Sequence, residues 1–256
     1  MTNERDLRPL FYSGTSGLVL PVANKLQYPA AFADKPRLTY YASLFNSIEV
    51  NSTFYKIPKP TTIIRWSEEV PDHFRFTFKL WRGVTHVKQL NYNPTDLTKF
   101  MEVINEAGIK KGCLLVQFPP GLTIEFKAQL YRLINQIRQI DPGLTWQVAL
   151  EFRHPSLYND EVWQFIQQNN MGVVIQDIPK SVTPFMYANG QLIYLRFHGP
   201  DGKYSGSYEN ETLYEYAGYI HQWLKSGKKV FVYFNNTMGD AIKNLVTLNN
   251  LVNENL

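Results

Sequence analysis

The amino-acid sequence predicts an α/β protein that folds as a single (β/α)8 TIM barrel over residues 1–256. Short apolar runs alternate with longer amphipathic segments along the whole chain. The later runs are almost continuously hydrophobic, which is typical of parallel strands buried on both faces. The chain has 256 residues, and eight strand–helix units in a chain of roughly 250 residues favour a closed barrel over an open sheet.

Each predicted strand is an apolar run that ends in polar residues. The fourth reads GCLLVQFP and the fifth reads WQVALEFR, so both combine a hydrophobic stretch with a polar carboxyl end. No segment rich in Gly, Pro or Ser divides the chain, and we therefore expect one domain. In chain order, the eight predicted strands are 10–13, 47–52, 74–80, 112–119, 146–153, 172–177, 192–199 and 229–236.

Helices are predicted between the strands where apolar residues recur at intervals of three and four. Asn93 and Pro94 supply an N-cap and a proline at the first helical position. Segment 178–190 contains two prolines and is predicted to be a loop, which makes the barrel slightly irregular after the sixth strand. The predicted helices include 97–104, 126–140 and 213–224, with shorter helices at 35–45 and 61–69.

Composition and charge are those of a folded protein that is mildly basic. Hydrophobic residues make up 44% of the chain, the net charge is +4 and the isoelectric point is about 8.9. Proteins that bind nucleic acid usually concentrate positive charge on one face, whereas here the densest basic runs are two pairs. We interpret these pairs, Lys110–Lys111 and Lys228–Lys229, as solvated positions before strands. The charge is compatible with an anionic ligand but does not require one.

The sequence also predicts a cytoplasmic location. The single cysteine, Cys113, allows no disulfide within the chain, which suits a reducing compartment. Residues 1–9 are charged and contain no apolar region of the kind found in signal peptides. No apolar stretch approaches 18 residues, so we expect no membrane-spanning segment.

Polar side chains gather at the predicted carboxyl ends of the strands, which is where the sites of barrel enzymes lie. The period of two along a strand places Glu151 with Arg153, and Arg196 with His198, on common faces. The beginnings of the strands are less polar. The predicted site comprises Glu49, Asn51, Lys79, Gln117, Glu151, Arg153, Asp177, Arg196, His198 and Asn235.

Three of these residues are predicted to be catalytic, because Glu49, Glu151 and His198 are groups that can transfer protons. The remaining seven are predicted to bind substrate, with the cations Lys79, Arg153 and Arg196 holding an anion. No residue is assigned to a metal, and the sequence indicates no particular cofactor or oligomeric state. The alternative is a self-neutralising network of salt bridges, since the set contains charges of both signs.

The loops after the seventh and eighth strands form a second candidate site, for a phosphate or another anion. They read HGPDGKYSGSY over 198–208 and NNTMGDA over 235–241, and many barrels hold phosphate in these loops. Their glycines are equally compatible with ordinary turns. The sequence contains none of the glycine-rich nucleotide-binding motifs, no H-E-x-x-H and no G-x-S-x-G.

Nine segments of the chain form a recognisable set: GTSG (14–17), FNSIEVNSTFYKIP (45–58), RW (65–66), PDHFRFTFKL (71–80), VTH (84–86), LVQFPPG (115–121), ALEFRHPS (149–156), YLRFHG (194–199) and VYFNNT (232–237). They resemble the YecE-like family, a group of TIM-barrel proteins catalogued as domain of unknown function seventy-two. The resemblance implies the barrel fold and no particular activity. Two departures are Leu18, where the family often has Trp, and Asn236, where it often has Asp.

The function predicted from these observations is acid/base catalysis on a phosphorylated or otherwise anionic small molecule at the mouth of the barrel. One alternative is a metal-dependent hydrolase or isomerase, of the endonuclease-IV-like or xylose-isomerase-like kind, with Glu49, Glu151, Asp177 and His198 as ligands. A second alternative is a nucleic-acid-binding protein that stacks bases on aromatic side chains near the mouth. The candidate rings for stacking are Phe54, Tyr55, Trp81, Phe118 and Tyr204.

Overall fold

A computed structural model describes residues 7–254 of the chain. Residues 1–6 and 255–256, which the predicted domain includes, lie outside this range. Eight parallel strands form a nearly closed barrel, which confirms the predicted TIM-barrel fold. The strands are β1 (Phe11–Thr15), β2 (Ser47–Val50), β3 (Arg75–Lys79), β4 (Lys111–Gln117), β5 (Gln147–Glu151), β6 (Gly172–Gln176), β7 (Leu192–Phe197) and β8 (Lys229–Phe234).

Helices follow most of the strands. The helix before β4 begins as predicted, because the side chain of Asn93 accepts a hydrogen bond from the backbone N–H of Thr95. Two four-residue helices were not predicted, since they are shorter than a periodic pattern can reveal. In chain order the helices are α1 (Arg37–Leu44), α2 (Ser52–Tyr55), α3 (Pro60–Glu68), α4 (Arg82–Thr85), α5 (Pro94–Asn105), α6 (Lys127–Ile140), α7 (Asp160–Gln168), α8 (Asn210–Lys225) and α9 (Ala241–Asn253).

The connection after β6 is irregular, as predicted. Between β6 and β7 the chain forms only a short 3-10 helix, Phe185–Tyr187, in place of an α-helix. Pro179 and Pro184 lack the N–H that a helix interior needs, which accounts for the missing helix. In the described part of the chain, no helix is long and apolar enough to cross a membrane.

The barrel has one weak seam, between β1 and β2. Each of the other neighbouring pairs forms a ladder, but here there is a single bridge, between Ser16 and Glu49. The side chain of Asn46 partly replaces the missing ladder. Its Oδ1 accepts a hydrogen bond from the N–H of Ser13 at 2.9 Å, and its Nδ2 donates to the carbonyl of Phe11 at 2.8 Å.

A tyrosine makes a second link across this seam. The hydroxyl of Tyr41 accepts from the N–H of Thr15 at 2.7 Å and donates to the carbonyl of Ser47 at 3.1 Å. The strands approach closely beside it, since a Cβ on Gly14 would lie 2.0 Å from the Ser47 carbonyl oxygen. Side chains and a glycine therefore close the barrel where backbone pairing stops.

The interior of the barrel is filled below its mouth. Its side chains form a cluster separate from the larger apolar layer between sheet and helices. Within it, the Tyr233 hydroxyl lies 2.6 Å from Ser47 Oγ and 2.7 Å from Thr77 Oγ1. These interior side chains therefore close the barrel beneath the site at its mouth. The buried members of the interior cluster are Cys113, Leu115, Ala149, Val174, Leu192, Tyr194, Phe231 and Tyr233.

Several strands end earlier than predicted. β2, β5, β7 and β8 each stop two residues before the predicted boundary. The polar residues after these ends leave the ladder and turn toward the mouth, so Asn51, Arg153, His198 and Asn235 lie in connecting segments. The apolar pattern cannot mark this change, because the polar positions continue the strand period.

The interpretation of Lys110 as a solvated residue is wrong. Its side chain is buried, and its Nζ donates to the carbonyls of Ser67 and Val70 at 2.5 and 2.7 Å. These carbonyls lie at and beyond the carboxyl end of α3, where unpaired acceptors attract a cation. Lys110 thus supplies hydrogen bonds to unpaired carbonyls at the end of α3, a helix that is distant in sequence.

Candidate functional site

The mouth of the barrel contains a cavity of about 180 Å³. It combines three cations, two amides and three aromatic rings. Five of the ten predicted site residues line it, and they come from five different strands. The lining residues are Asn51, Phe54, Tyr55, Lys79, Arg153, Arg196, Tyr204 and Asn235.

Arg196 is the centre of the site. Its Nε and Nη2 donate to the carboxylate of Glu49 at 2.9 and 2.7 Å, and its Nη1 donates to Glu151 Oε2 at 2.7 Å. Burial alone would lower the pKa of Arg196, but the two carboxylates raise it. The guanidinium is therefore permanently charged and fixed in one orientation. We call Glu49, Glu151 and Arg196 the ionic floor.

Glu49 is fully buried and fully hydrogen-bonded. Beyond the guanidinium, its carboxylate accepts from Ser16 Oγ at 2.5 Å and from the Tyr194 hydroxyl at 2.5 Å. Burial would raise the pKa of Glu49, yet the charge and hydrogen bonds of Arg196 lower it. The carboxylate remains ionised, and it lies behind the surface of the cavity.

Glu151 has a similar environment. It is fully buried, and its carboxylate contacts Arg196 through one oxygen and Arg153 Nη2 through the other. Burial would raise the pKa of Glu151, but the two guanidinium groups lower it. Both carboxylates thus lie behind the cations, and the surface that faces the cavity is positive.

His198 is held between an acid and the two arginines. Its Nδ1 lies 3.1 Å from Asp177 Oδ1, while its Nε2 lies 3.0 Å from Arg196 Nη1 and 3.3 Å from Arg153 Nη2. Guanidinium groups only donate, so Nε2 is the acceptor and Nδ1 carries the proton. Burial lowers the pKa of His198, although the hydrogen bond to Asp177 opposes this. The imidazole is therefore neutral.

Asp177 is fixed by further donors. Its Oδ1 also accepts from the backbone N–H of His198 at 2.9 Å, and its Oδ2 is bound by the hydroxyl of Tyr208. That hydroxyl in turn accepts from the N–H of Gly199 at 2.6 Å. Asp177 orients the histidine and does not line the cavity.

Lys79 differs from both arginines. Its Nζ lies 4.3 Å from the centroid of the Phe54 ring, and it forms no ion pair with any carboxylate in residues 7–254. Burial, with the nearby charge of Arg196, lowers the pKa of Lys79 to about 8. We call Lys79, Phe54 and Tyr55 the open wall of the cavity.

Two polar atoms at the cavity are buried and have no hydrogen-bond partner among the described residues. They are Asn51 Oδ1 and Arg153 Nε. An unpaired buried donor or acceptor carries an energetic penalty. Both residues line the cavity, so two unmet polar groups lie next to its positive surface.

Tyr204 forms part of the rim. It is 40% exposed, and Tyr55 across the cavity is 68% exposed. The backbone of Tyr204 is tied at both ends, because its N–H donates to the carbonyl of His198 and its carbonyl accepts from Met238. Of the two glycine-containing loops, only Tyr204 and Asn235 line the cavity.

Gln117 is the predicted residue that the site does not use. Its Nε2 donates to the carbonyl of its neighbour Phe118 at 2.8 Å, and it does not line the cavity. Sequence reasoning also missed three hydroxyls that bind the carboxylates, those of Ser16, Tyr194 and Tyr208. Of these, Tyr194 could have been found, since it precedes Arg196 by two and faces the same interior.

The four residues that the metal alternative requires gather around the guanidinium of Arg196, directly or, for Asp177, through His198. Within the described range, no three His, Cys, Asp or Glu side chains are arranged to hold a metal ion. Arginine side chains bind the carboxylates of Glu49 and Glu151, while the carboxylate of Asp177 is bound to His198 and Tyr208. The donor set is thus committed to protein cations and hydroxyls.

Comparisons with known proteins find a family and several relatives to which this chain is similar in sequence. A family model described as "Protein of unknown function DUF72" matches residues 12–256. UPF0759 protein YunF of Bacillus subtilis is 27% identical over 251 residues, covering 85% of this chain and 86% of that protein. UPF0759 protein YecE of Escherichia coli is 29% identical over 121 residues, so the match spans 47% of this chain and 43% of the length of YecE.

Two solved structures are similar over nearly the whole chain. A DUF72 family protein from Enterococcus faecalis is 24% identical, covers 95% of both chains and has a TM-score of 0.76. A DUF72 family protein from Thermotoga maritima is 22% identical, covers 95% of this chain and 99% of its own, and has a TM-score of 0.65. At these identities the likeness concerns the fold alone.

Proposed function

The chain belongs to the DUF72 family, and we propose that it is an enzyme that acts on a phosphorylated or otherwise anionic small molecule by acid/base chemistry at the mouth of its barrel. One observation carries this proposal. The cations Lys79, Arg153 and Arg196 line the cavity, whereas Glu49 and Glu151 lie buried behind them. An anion that enters the cavity therefore meets positive groups first.

The polar groups suit a phosphate or a carboxylate. Arginine presents a planar fork of donors that matches both anions, and ammonium groups bind them as point charges. Arg196 has its donors committed to carboxylates, so it supplies mainly charge. Arg153 lines the cavity beside Arg196 and adds a second guanidinium, while Lys79 has no carboxylate partner among the described residues, which leaves its amine for the chemical step.

We assign proton transfer at this site to Lys79. Its amine lines the cavity, and its pKa of about 8 leaves a fraction of it neutral near pH 7, so it can take up and release protons there. Glu49 and Glu151 are held in the ionised form, which favours a role in positioning the arginines. His198 directs a neutral Nε2 at the same guanidinium groups and can accept a proton only when one of them moves.

Phosphate binding tests the proposal. We expect inorganic phosphate to raise the free energy of unfolding at constant ionic strength, by about 2.7 kcal/mol when its concentration is 100 times Kd. Arg153→Gln should weaken phosphate binding by about tenfold. Lys99→Gln, on an exposed face of α5, is the matched control and should bind phosphate normally. An absence of any phosphate-dependent stabilisation would overturn the proposal.

The nucleic-acid alternative stays a prediction, and the exposed rings of Tyr55 and Tyr204 beside the cations are the features that favour it. Its signature would be binding of single-stranded oligonucleotides that weakens steeply with salt. A cytoplasmic location is likewise proposed, supported by Cys113, the single cysteine of the sequence, which is buried and forms no disulfide.

A further inference from the structure

The surroundings of Lys79 distinguish it from an ordinary buried lysine. Lysines at such positions are usually paired with a carboxylate. Here both nearby carboxylates are taken, because Glu49 and Glu151 bind Arg196 and Arg153. The amine instead rests against the ring of Phe54 and faces the cavity. It is therefore free to react with what enters.

The charges around Lys79 also bear on its reactivity. Burial and the guanidinium groups of Arg196 and Arg153 lower its pKa, while Glu151 and Glu49 raise it, and the balance is about 8. At pH 7, about a tenth of the molecules then carry a neutral amine, compared with far fewer for an exposed lysine. Only the neutral amine is a nucleophile.

We propose that Nζ of Lys79 forms an imine with a small aldehyde or ketone whose phosphate or carboxylate group is held by Arg153 and Arg196. This inference rests on the proposed anion site and names its substrate class. The cavity of about 180 Å³ takes the anionic group and the carbonyl, and the exposed rings of Tyr55 and Tyr204 at its rim allow a larger remainder to extend toward solvent.

The step needs no oxidant or reductant. The Nζ lone pair attacks the carbonyl carbon, Nζ loses a proton, and the carbonyl oxygen gains one to give a carbinolamine. The new hydroxyl then leaves as water with a second proton, and the C=N bond forms. The overall change is amine plus carbonyl to imine plus water. Once protonated, the imine withdraws electrons from the adjacent carbon and makes its C–H or C–C bond easier to break.

The geometry places the anion and the amine at one cavity. Arg153 follows β5, Arg196 lies in β7 and Lys79 ends β3, so they approach the cavity from different sides. Binding the anion therefore holds the carbonyl close to the amine, which replaces a bimolecular encounter with a local one. A carbonyl compound without the anionic group lacks this advantage.

Pyridoxal 5′-phosphate is a suitable probe, because it carries an aldehyde and a phosphate. The protein is incubated with the probe, reduced with borohydride and digested, and modification of each lysine is measured by mass spectrometry. We expect Lys79 to be modified at least about tenfold more than exposed Lys99, and at least about tenfold less by pyridoxal, which lacks the phosphate. Excess inorganic phosphate should suppress the modification of Lys79 alone.

Two variants complete the test. Lys79→Arg keeps the charge and should abolish the specific modification, whereas Lys99→Gln should leave it unchanged. If phosphate stabilises the protein but Lys79 is modified no more than Lys99, the imine is wrong and the anion site stands. If Lys79 is modified equally by pyridoxal and unaffected by phosphate, the proposed anion site is wrong, and with it this substrate class.

Discussion

Arg196 and Lys79 are both cations near the carboxyl ends of barrel strands, and both line the same cavity. Arg196 is paired with two carboxylates, whereas Lys79 is paired with none among the described residues. Arg196 belongs to the ionic floor, where two carboxylates and their hydroxyl donors leave it immobile. Lys79 belongs to the open wall, where its amine lies against the ring of Phe54 and forms no ion pair with a described carboxylate. The comparison separates a buried charge whose partners are all within the protein from one that has no carboxylate partner among the described residues, and the proposed chemistry rests on the second.

The largest effect is expected from breaking the ionic floor. Arg196→Met should lower the free energy of unfolding by about 3–5 kcal/mol, because Glu49 becomes a buried carboxylate without a cation. Chemical denaturation at pH 7 measures this change. The loss should shrink in acid, where the carboxylates can accept protons. A loss below about 1 kcal/mol would mean that the floor contributes little to stability.

Replacing Lys79 in the open wall should raise the free energy of unfolding, whereas replacing Arg196 should lower it. The pKa of Lys79 is about 8 in the folded protein and about 10.4 when unfolded. The folded state therefore binds fewer protons between these values, and stability increases as pH rises from about 8 to about 10. Lys79→Met removes this penalty and should stabilise the protein at pH 7 by about 1–3 kcal/mol, after allowance for partial solvent exposure.

The pH dependence provides the control for this variant. The stabilising effect of Lys79→Met, measured by denaturation at several pH values, should decline toward zero near pH 10.5. A stabilisation that is the same at pH 7 and at pH 10.5 would point to packing of methionine against Phe54. A destabilisation at pH 7 would place Lys79 among the structural cations.

An effect smaller than that of Arg196→Met is expected from one hydroxyl under the floor. Tyr194→Phe removes a hydrogen bond to the Glu49 carboxylate while keeping the ring, and should cost about 1–3 kcal/mol. Thermal and chemical denaturation should report the loss, and phosphate affinity should change little because Tyr194 does not line the cavity. A large loss of affinity without a loss of stability would show that the hydroxyl acts on the ligand.

Much of the fold was predictable because its signals are local. Apolar runs with polar ends identified all eight strands, and the prolines after β6 identified the irregular connection. The site could be located for the same reason, since carboxyl ends of parallel strands meet at one end of a barrel. Lys79, Arg153 and Arg196 do line one cavity.

The pairing within the site was not predictable. The pairing of carboxylates with guanidinium groups depends on the stagger of the strands and on side-chain rotamers. The sequence of a single strand determines neither of these. Gln117 shows this limit, because its position resembles that of Glu151 but its side chain turns back to its own backbone. Lys110 shows it again, since its acceptors belong to a helix about forty residues earlier.

The seam between β1 and β2 has a consequence for biosynthesis. β1 obtains its ladder only from β8, the last strand to leave the ribosome. Until then, the links through Asn46 and Tyr41 are the main attachments that β1 has to its earlier neighbour. Ser16 follows β1 and donates to Glu49, so this one hydrogen bond to the charged centre gains the support of a strand ladder only after the final strand has emerged and paired with β1.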